Sequence, residues 1–262
     1  MSIISDFKSS PIALFRKDGL GNSSDESLET LVGARFSSAD GRQFVLLQNG
    51  GSALASGVLV QGPASIGANH TGLAVATAAA IGATSISATL GGTLVTANQY
   101  AGGFAVISAG TGAGQTLRIA SHPAGTATES VTFTLEDPLS VAIDVATSKV
   151  TLNLNQYGSP NGTNVSTHGV IISPSAAATG QPVGVTVGPI AASSSTVPSY
   201  GFVQSYGAVA CLAAGAATAG VDLMQGAVNG AVSTFTAGAR GRIGYAIVAG
   251  EDTKKQLIFV QL

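Results

Sequence analysis

Residues 43–61 read QFVLLQNGGSALASGVLVQ, and the way apolar and polar side chains are spaced here decides the fold class. QFVLLQ (43–48) and ASGVLVQ (55–61) are short runs of β-branched and aliphatic residues. NGGS lies between them, and its Asn-Gly pair supplies the positive φ of a tight turn, so the stretch predicts a β-hairpin. The same period of two continues outward. TSISATL (84–90), GGFAVISA (102–109), QTLRIASH (115–122), SVTFTLED (130–137) and KVTLNLN (149–155) each place apolar residues on one side and Thr, Ser or Asn on the other. Further on, GVIIS, QPVGVTVGP, SYGFVQSYG, GAVSTFTAG, GRIGYAIVAG and KQLIFVQL extend the pattern at intervals of about 8 to 12 residues, the spacing of a sandwich or barrel. The 35 glycines fit a chain of many turns and bulges.

Before residue 43 the texture differs. Of 24 charged residues, 11 fall in the first 42, whereas 43–117 and 150–221 contain no Asp, Glu, Lys or Arg. A soluble surface usually carries about a quarter to a third charged residues, so long charge-free runs predict surface covered by other subunits. Residues 1–42 read as a polar arm with one short helix. Ser23 and Glu26 form a capping box, Leu28, Leu31 and Val32 share a face, and Gly33 stops the turn. The expected architecture is all-β: a sandwich or barrel body from 43–66 with 158–262, a β lobe inserted at 67–157, and the extended arm at 1–42.

Composition narrows the function. A net charge of −2 supplies no basic face for nucleic acid. The most hydropathic stretch, GLAVATAAAIGATSISATL (72–90), is broken by Gly, Ser and Thr and lacks the flanks of a membrane span. The N-terminus has no cationic and apolar leader pattern, so synthesis in a cytoplasm is expected. The lone Cys211, in GAVACLAAG, excludes an internal disulfide and reads as a small buried hydrophobe. With no Trp and 5% aromatics, the core is thin, and oligomerisation would add burial.

The chemical motifs are weak. His70, His122 and His168 lack ligand spacing and read as exposed loop residues, so no metal is expected. GTGAGQT (110–116) lacks a phosphate-binding Lys and a following helix, and reads as a turn between strands. Asp25–Glu26, Glu136–Asp137 and Glu251–Asp252 are adjacent carboxylates at strand ends rather than a pair across a cleft. No nucleophile elbow is present. No cofactor and no enzymatic activity are expected. The closing strand EDTKKQLIFVQL (251–262) is apolar on both faces, with Lys254 and Lys255 guarding it, and is expected to lie inside a sheet or under a partner.

QFVLLQNGGSALASGVLVQGPA (43–64), TLGGTLVTANQYAGGFAVISAGTGAGQTLRIASHPA (89–124), VTFTLEDPLSVAIDVATSKVTL (131–152) and GRIGYAIVAGEDTKKQLIFVQL (241–262) resemble the β-rich virion structural proteins of tailed bacteriophages, among them capsid decoration or cement proteins. The resemblance implies a non-enzymatic protein of the virion. It would sit on the outer capsid surface, often as a trimer, bind the major capsid protein and its own copies, and staple neighbouring capsomers. It leaves the arm unmatched. By analogy the interface candidates in the arm are Phe7, Ile12, Phe15 and Arg16; Phe259, in the closing strand, is a further candidate. A head or tail fibre component that binds a receptor, and a carbohydrate-binding or glycan-active β domain, are the alternative readings.

Overall fold

A computed structural model of the chain describes residues 28, 31–159, 165–175, 179–236 and 241–262. Among the described residues it is nearly all β, with sixteen strands, a 3-10 turn at Gly67–His70 and a single helical turn at Val165–His168. The chain divides into two compact units, one formed by 1–63, 156–158 and 169–262, the other by 64–155 and 159–168.

The second unit is a closed six-stranded antiparallel barrel. Its strands are β4 (Leu73–Thr77), β5 (Ser85–Thr89), β6 (Phe104–Ala109), β7 (Thr116–Ser121), β8 (Ser130–Leu135) and β9 (Lys149–Asn153). They run in the order β4-β5-β8-β7-β6-β9, and β9 pairs back to β4. Closure removes the unpaired edges that make open sheets aggregate. Alternation fills the interior: Leu73 and Val75, Ile86 and Ala88, Ala105 and Ile107, Leu117 and Ile119, Val131, Phe133 and Leu135, Val150 and Leu152 all point inward. GTGAGQT is the turn between β6 and β7, as its flanking strand patterns predict. The hydropathic stretch 72–90 is used by β4 and β5. No helix among the described residues is long and apolar enough to cross a membrane.

The first unit is built on one large sheet. Its main path is β10 (Ile171–Ile172), β3 (Leu59–Gln61), β11 (Pro182–Thr186), β12 (Tyr200–Leu212), β16 (Lys255–Gln261), β15 (Arg242–Ala246), β13 (Asp222–Gln225) and β14 (Val232–Thr234). β2 (Gln43–Gln48) pairs with β12 and with β1 (Arg35–Ser37). The sheet curls on itself. Gly230, between β13 and β14, accepts from the Leu59 amide at 2.7 Å and donates to Ser173 O at 2.7 Å. Inside the curl lie Leu59, Val185, Val209, Cys211, Leu223, Val232, Ile243, Ile258 and Val260. A second cluster joins Val45, Leu47, Leu54, Val60, Val183, Ile190 and Val203, and a third joins Val32, Phe44, Leu46, Tyr200 and Phe202. Val32 and Phe36 thus pack on the chain's own sheet, with Phe36 edge-on to Phe202 at 5.4 Å. The closing strand is interior to the sheet, between β12 and β15, as its two apolar faces predict.

The hairpin expected at 43–61 does not form. β2 pairs with β1 and β12, whereas β3 pairs with β10 and β11. Asn49 redirects the chain. Its side-chain amide donates to Ser52 O at 2.8 Å and Ala191 O at 2.7 Å, and its amide and carbonyl are taken by Ser199 O (2.8 Å) and the Ser193 hydroxyl (2.6 Å). Three of those partners, Ala191, Ser193 and Ser199, lie more than 140 residues away, and together they outweigh the local preference of Asn-Gly for a tight turn. Of the arm helix, Ser23 and Glu26 lie outside the described residues, and Gly33, at φ +88°, sits where the turn ends.

Candidate interaction face

β12 is the organising element of the first unit. It pairs with β2 over Tyr200–Tyr206 and with β16 over Tyr206–Leu212. The handover carries a bulge between Gln204 and Tyr206, followed by Gly207 at φ +100°. A Cβ on Gly207 would stand 2.9 Å from Arg42 Cγ, so glycine is required both for the backbone turn and for the approach of Arg42.

Alternation beyond the bulge sorts the side chains. Val209 and Cys211 on β12, and Ile258 and Val260 on β16, face the core. Tyr206, Ala208 and Ala210, with Leu257, Phe259 and Gln261, face away from it. Tyr245 of β15 joins the outward row. Its ring stacks on Phe259 at 5.0 Å with 5° between planes, and Tyr206 meets Phe259 edge-on at 5.0 Å and 83°. Tyr206 is 37% exposed and Leu257 40%. An aromatic row spanning three adjacent strands, and open to solvent, is the kind of surface that large contacts use.

Beside the row is a shallow groove. A pocket of about 600 Å³ is lined by Asp40, Gly41, Arg42, Tyr206, Ala208 and Phe259. Another, of about 250 Å³, shares Arg42 and Ala208 and adds Ser56, Val187, Ala210 and Leu257. Small residues of β12 form the floor and the aromatic row forms one wall. Arg42 is held in place: its Nε meets Asp40 Oδ2 at 2.6 Å, and its guanidinium lies 5.5 Å above the Phe44 ring. Asp40 is fixed in turn by the Ser38 hydroxyl and the Arg42 amide, and these bonds hold its carboxyl below the usual range. The arrangement suits apolar side chains from a partner, with a pre-placed guanidinium for a carbonyl or carboxylate.

Of the residues singled out from sequence, Phe259 lies at the centre of this face, while Phe7, Ile12, Phe15 and Arg16 lie outside the described residues. Tyr206, Tyr245, Leu257 and Arg42 were not singled out. The signal at the first three is an aromatic or aliphatic residue at an outward position, where alternation leads one to expect a polar one; Arg42, just before β2, carries no such signal.

The histidines correct the expectation of exposed loop residues. His70 is 1% exposed, His122 4% and His168 9%, each with hydrogen-bond partners rather than solvent. Among the described residues, no three His, Cys, Asp or Glu side chains come together in a way that would hold a metal. Cys211 is fully buried, and its thiol is pushed up to about 12, chiefly by desolvation. Glu136 pairs with Arg118 at 3.0 Å on the outside of the barrel, both about half exposed. A scan of family models, of curated proteins and of solved structures returns no match to the chain.

Proposed function

We propose that this chain is a non-enzymatic virion structural protein that binds the outer surface of a tailed-phage capsid, as a homo-oligomer and on the model of a trimer, and stabilises contacts between capsomers. The resemblance of four segments to virion proteins motivates the reading. The observation that carries it is the aromatic row Tyr206–Phe259–Tyr245 beside the groove of Ala208, Ala210 and Arg42. The face is exposed and apolar along its aromatic row, as a surface that a partner covers would be. Ring geometry favours a protein partner over a sugar. One face of Phe259 is taken by Tyr245, and Tyr206 stands nearly perpendicular to it, which leaves Phe259 less open ring face for a sugar to stack on.

Decoration works through repetition. A contact of about 800 Å² per partner is a standard interface, and many copies on one shell add up to resistance against internal pressure without any single strong bond. The test is co-sedimentation of the purified protein with mature shells and with unexpanded procapsids of the phage that encodes it, with its own mass measured by light scattering. Saturable binding to mature shells by an oligomer near three times 25.7 kDa is expected. Phe259→Ser should weaken binding at least about thirtyfold, the effect of losing a hot spot worth about 2 kcal/mol. A monomer that ignores both shells refutes the reading.

A further inference from the structure

Beyond that reading, the closed barrel of the second unit holds a cluster that no binding role uses. Antiparallel alternation brings the β5–β6 connection (90–103) and the β7–β8 connection (122–129) to one end, together with the Gly67–His70 turn that leads into β4. Four rings meet there: His70 to Tyr100 at 5.5 Å between centroids, Tyr100 to His122 at 5.9 Å, and His122 to Phe133 of β8 at 4.9 Å. Tyr100 and Phe133 are fully buried.

Every ring nitrogen in the cluster has a partner, and the partners of His122 cannot change roles. Its Nε2 accepts from the Tyr100 backbone amide at 3.0 Å, and its Nδ1 donates to Pro123 O at 2.8 Å. A backbone amide only donates and a carbonyl only accepts, so this ring fits as the neutral Nδ1–H tautomer and in no other form. The backbone of His122 is locked as well: its amide donates to Asn98 Oδ1 at 3.0 Å, and its carbonyl accepts from the Asn98 amide at 3.0 Å. His70 differs. Its Nε2 meets Thr93 O at 3.0 Å and its Nδ1 bonds the Tyr100 hydroxyl, a group that can act as donor or acceptor.

We propose that His122 is an acid-operated latch at this end of the barrel: protonation of Nε2 severs the bond from the Tyr100 amide and loosens the 90–103 connection at that residue. The ionisable groups facing His122 are His70, from the turn before β4, and the Tyr100 phenol. β8 presents the uncharged Phe133, and Asn98 and Gln99 are neutral amides. Glu129, in the same connection as His122, is exposed and committed to the Thr126 amide at 2.7 Å and the Thr126 hydroxyl at 3.0 Å. No carboxylate among these is free to stabilise an imidazolium. Burial holds the ring neutral below its usual range, and nearby His70 adds to this against the pull of Pro123 O. A base whose folded affinity for protons is depressed lends stability that is fully present above the ordinary midpoint of 6.5 and is lost as pH falls below it. Between that midpoint and the lowered one, local opening should rise up to about tenfold per pH unit.

The experiment uses the wild-type chain, whose three histidines give a sparse spectrum. Long-range nitrogen–proton correlation of the imidazole rings is followed from pH 7.5 to 4, alongside amide exchange at Tyr100. The expected result is the Nδ1–H tautomer for His122, a midpoint below 6.5, and exchange at Tyr100 that accelerates, beyond its intrinsic pH dependence, as that ring titrates. In His122→Gln the extra pH dependence should vanish, and in His70→Gln it should persist. An Nε2–H tautomer, titration at or above 6.5 with the Tyr100 amide still protected, or unchanged pH dependence in His122→Gln overturns the proposal. The wild-type titration decides the matter even if a variant fails to fold.

Discussion

Gly244→Ala tests whether the aromatic row depends on close approach of β15 to β16. Gly244 pairs with Val260 in the ladder. A Cβ built there falls 1.9 Å from Phe259 O, 2.9 Å from Phe259 C and 3.1 Å from Val260 Cα, where ordinary contact begins near 3.4 Å. All three atoms are backbone, so no side-chain rotation relieves the clash and the strands must part by about 1.5 Å. Overpacking of this kind costs about 1–3 kcal/mol. Parting the strands also weakens the neighbouring ladder bonds, each worth about 1 kcal/mol net. It separates the Tyr245–Phe259 stack as well, worth about 0.5–1.5 kcal/mol. We expect a loss of about 3–5 kcal/mol, a large part of the 5–15 kcal/mol typical of a domain. Urea titration followed by tyrosine emission is the assay. Four of the five tyrosines (Tyr157, Tyr200, Tyr206 and Tyr245) belong to the first unit, so the signal reports that unit. Gly188→Ala is the control, because a Cβ there meets nothing within 4 Å, and it should stay within about 0.5 kcal/mol of wild type. If Gly244→Ala shifts the midpoint no more than this control does, the strand spacing does not hold the row together and the argument fails.

Other variants probe each unit separately. Phe133→Ala empties the barrel at a site with no solvent exposure and should cost about 3–5 kcal/mol, seen as loss of the second unit's amide protection while the first unit's persists. The Cys211 thiol, raised to about 12 by burial, should resist thiol reagents at pH 8 in the folded chain and react at once in denaturant. The Asp144 carboxylate is lowered to about 2, first by the Thr111 hydroxyl and then by the Thr147 amide. A depressed carboxyl lends stability above the ordinary midpoint of 3.8 that is lost as pH falls towards 2, so Asp144→Asn should flatten this acid limb in a pH series of melting curves.

Legibility in the sequence followed the range of the interactions involved. Val131, Phe133 and Leu135 announce a half-buried strand because side chains alternate by two along any β backbone, whatever that strand pairs with. Cys211 reads as buried from its apolar neighbours alone. β13, with the sequence DLMQ, escaped notice because four residues make too little pattern. The Asn-Gly turn misled because Asn49 answers to Ala191 and Ser193, partners that the local sequence does not display. The histidines differ for the same reason: NHTG and SHPAG look like exposed turns, yet barrel closure brings His70 and His122 around Tyr100 and buries all three.

The sequence alone determined an all-β chain and a closing strand apolar on both faces, to be covered inside a sheet or by a partner. These follow from local periodicity and from the cost of leaving apolar surface in water. Strand order was decided only in three dimensions. It set Tyr206, Phe259 and Tyr245 side by side although each comes from a different strand, and it turned two loop histidines into a buried pair. Pairing between strands far apart in the chain is settled by which closure buries the most apolar area while satisfying every backbone group, and that is a property of the whole unit rather than of any segment.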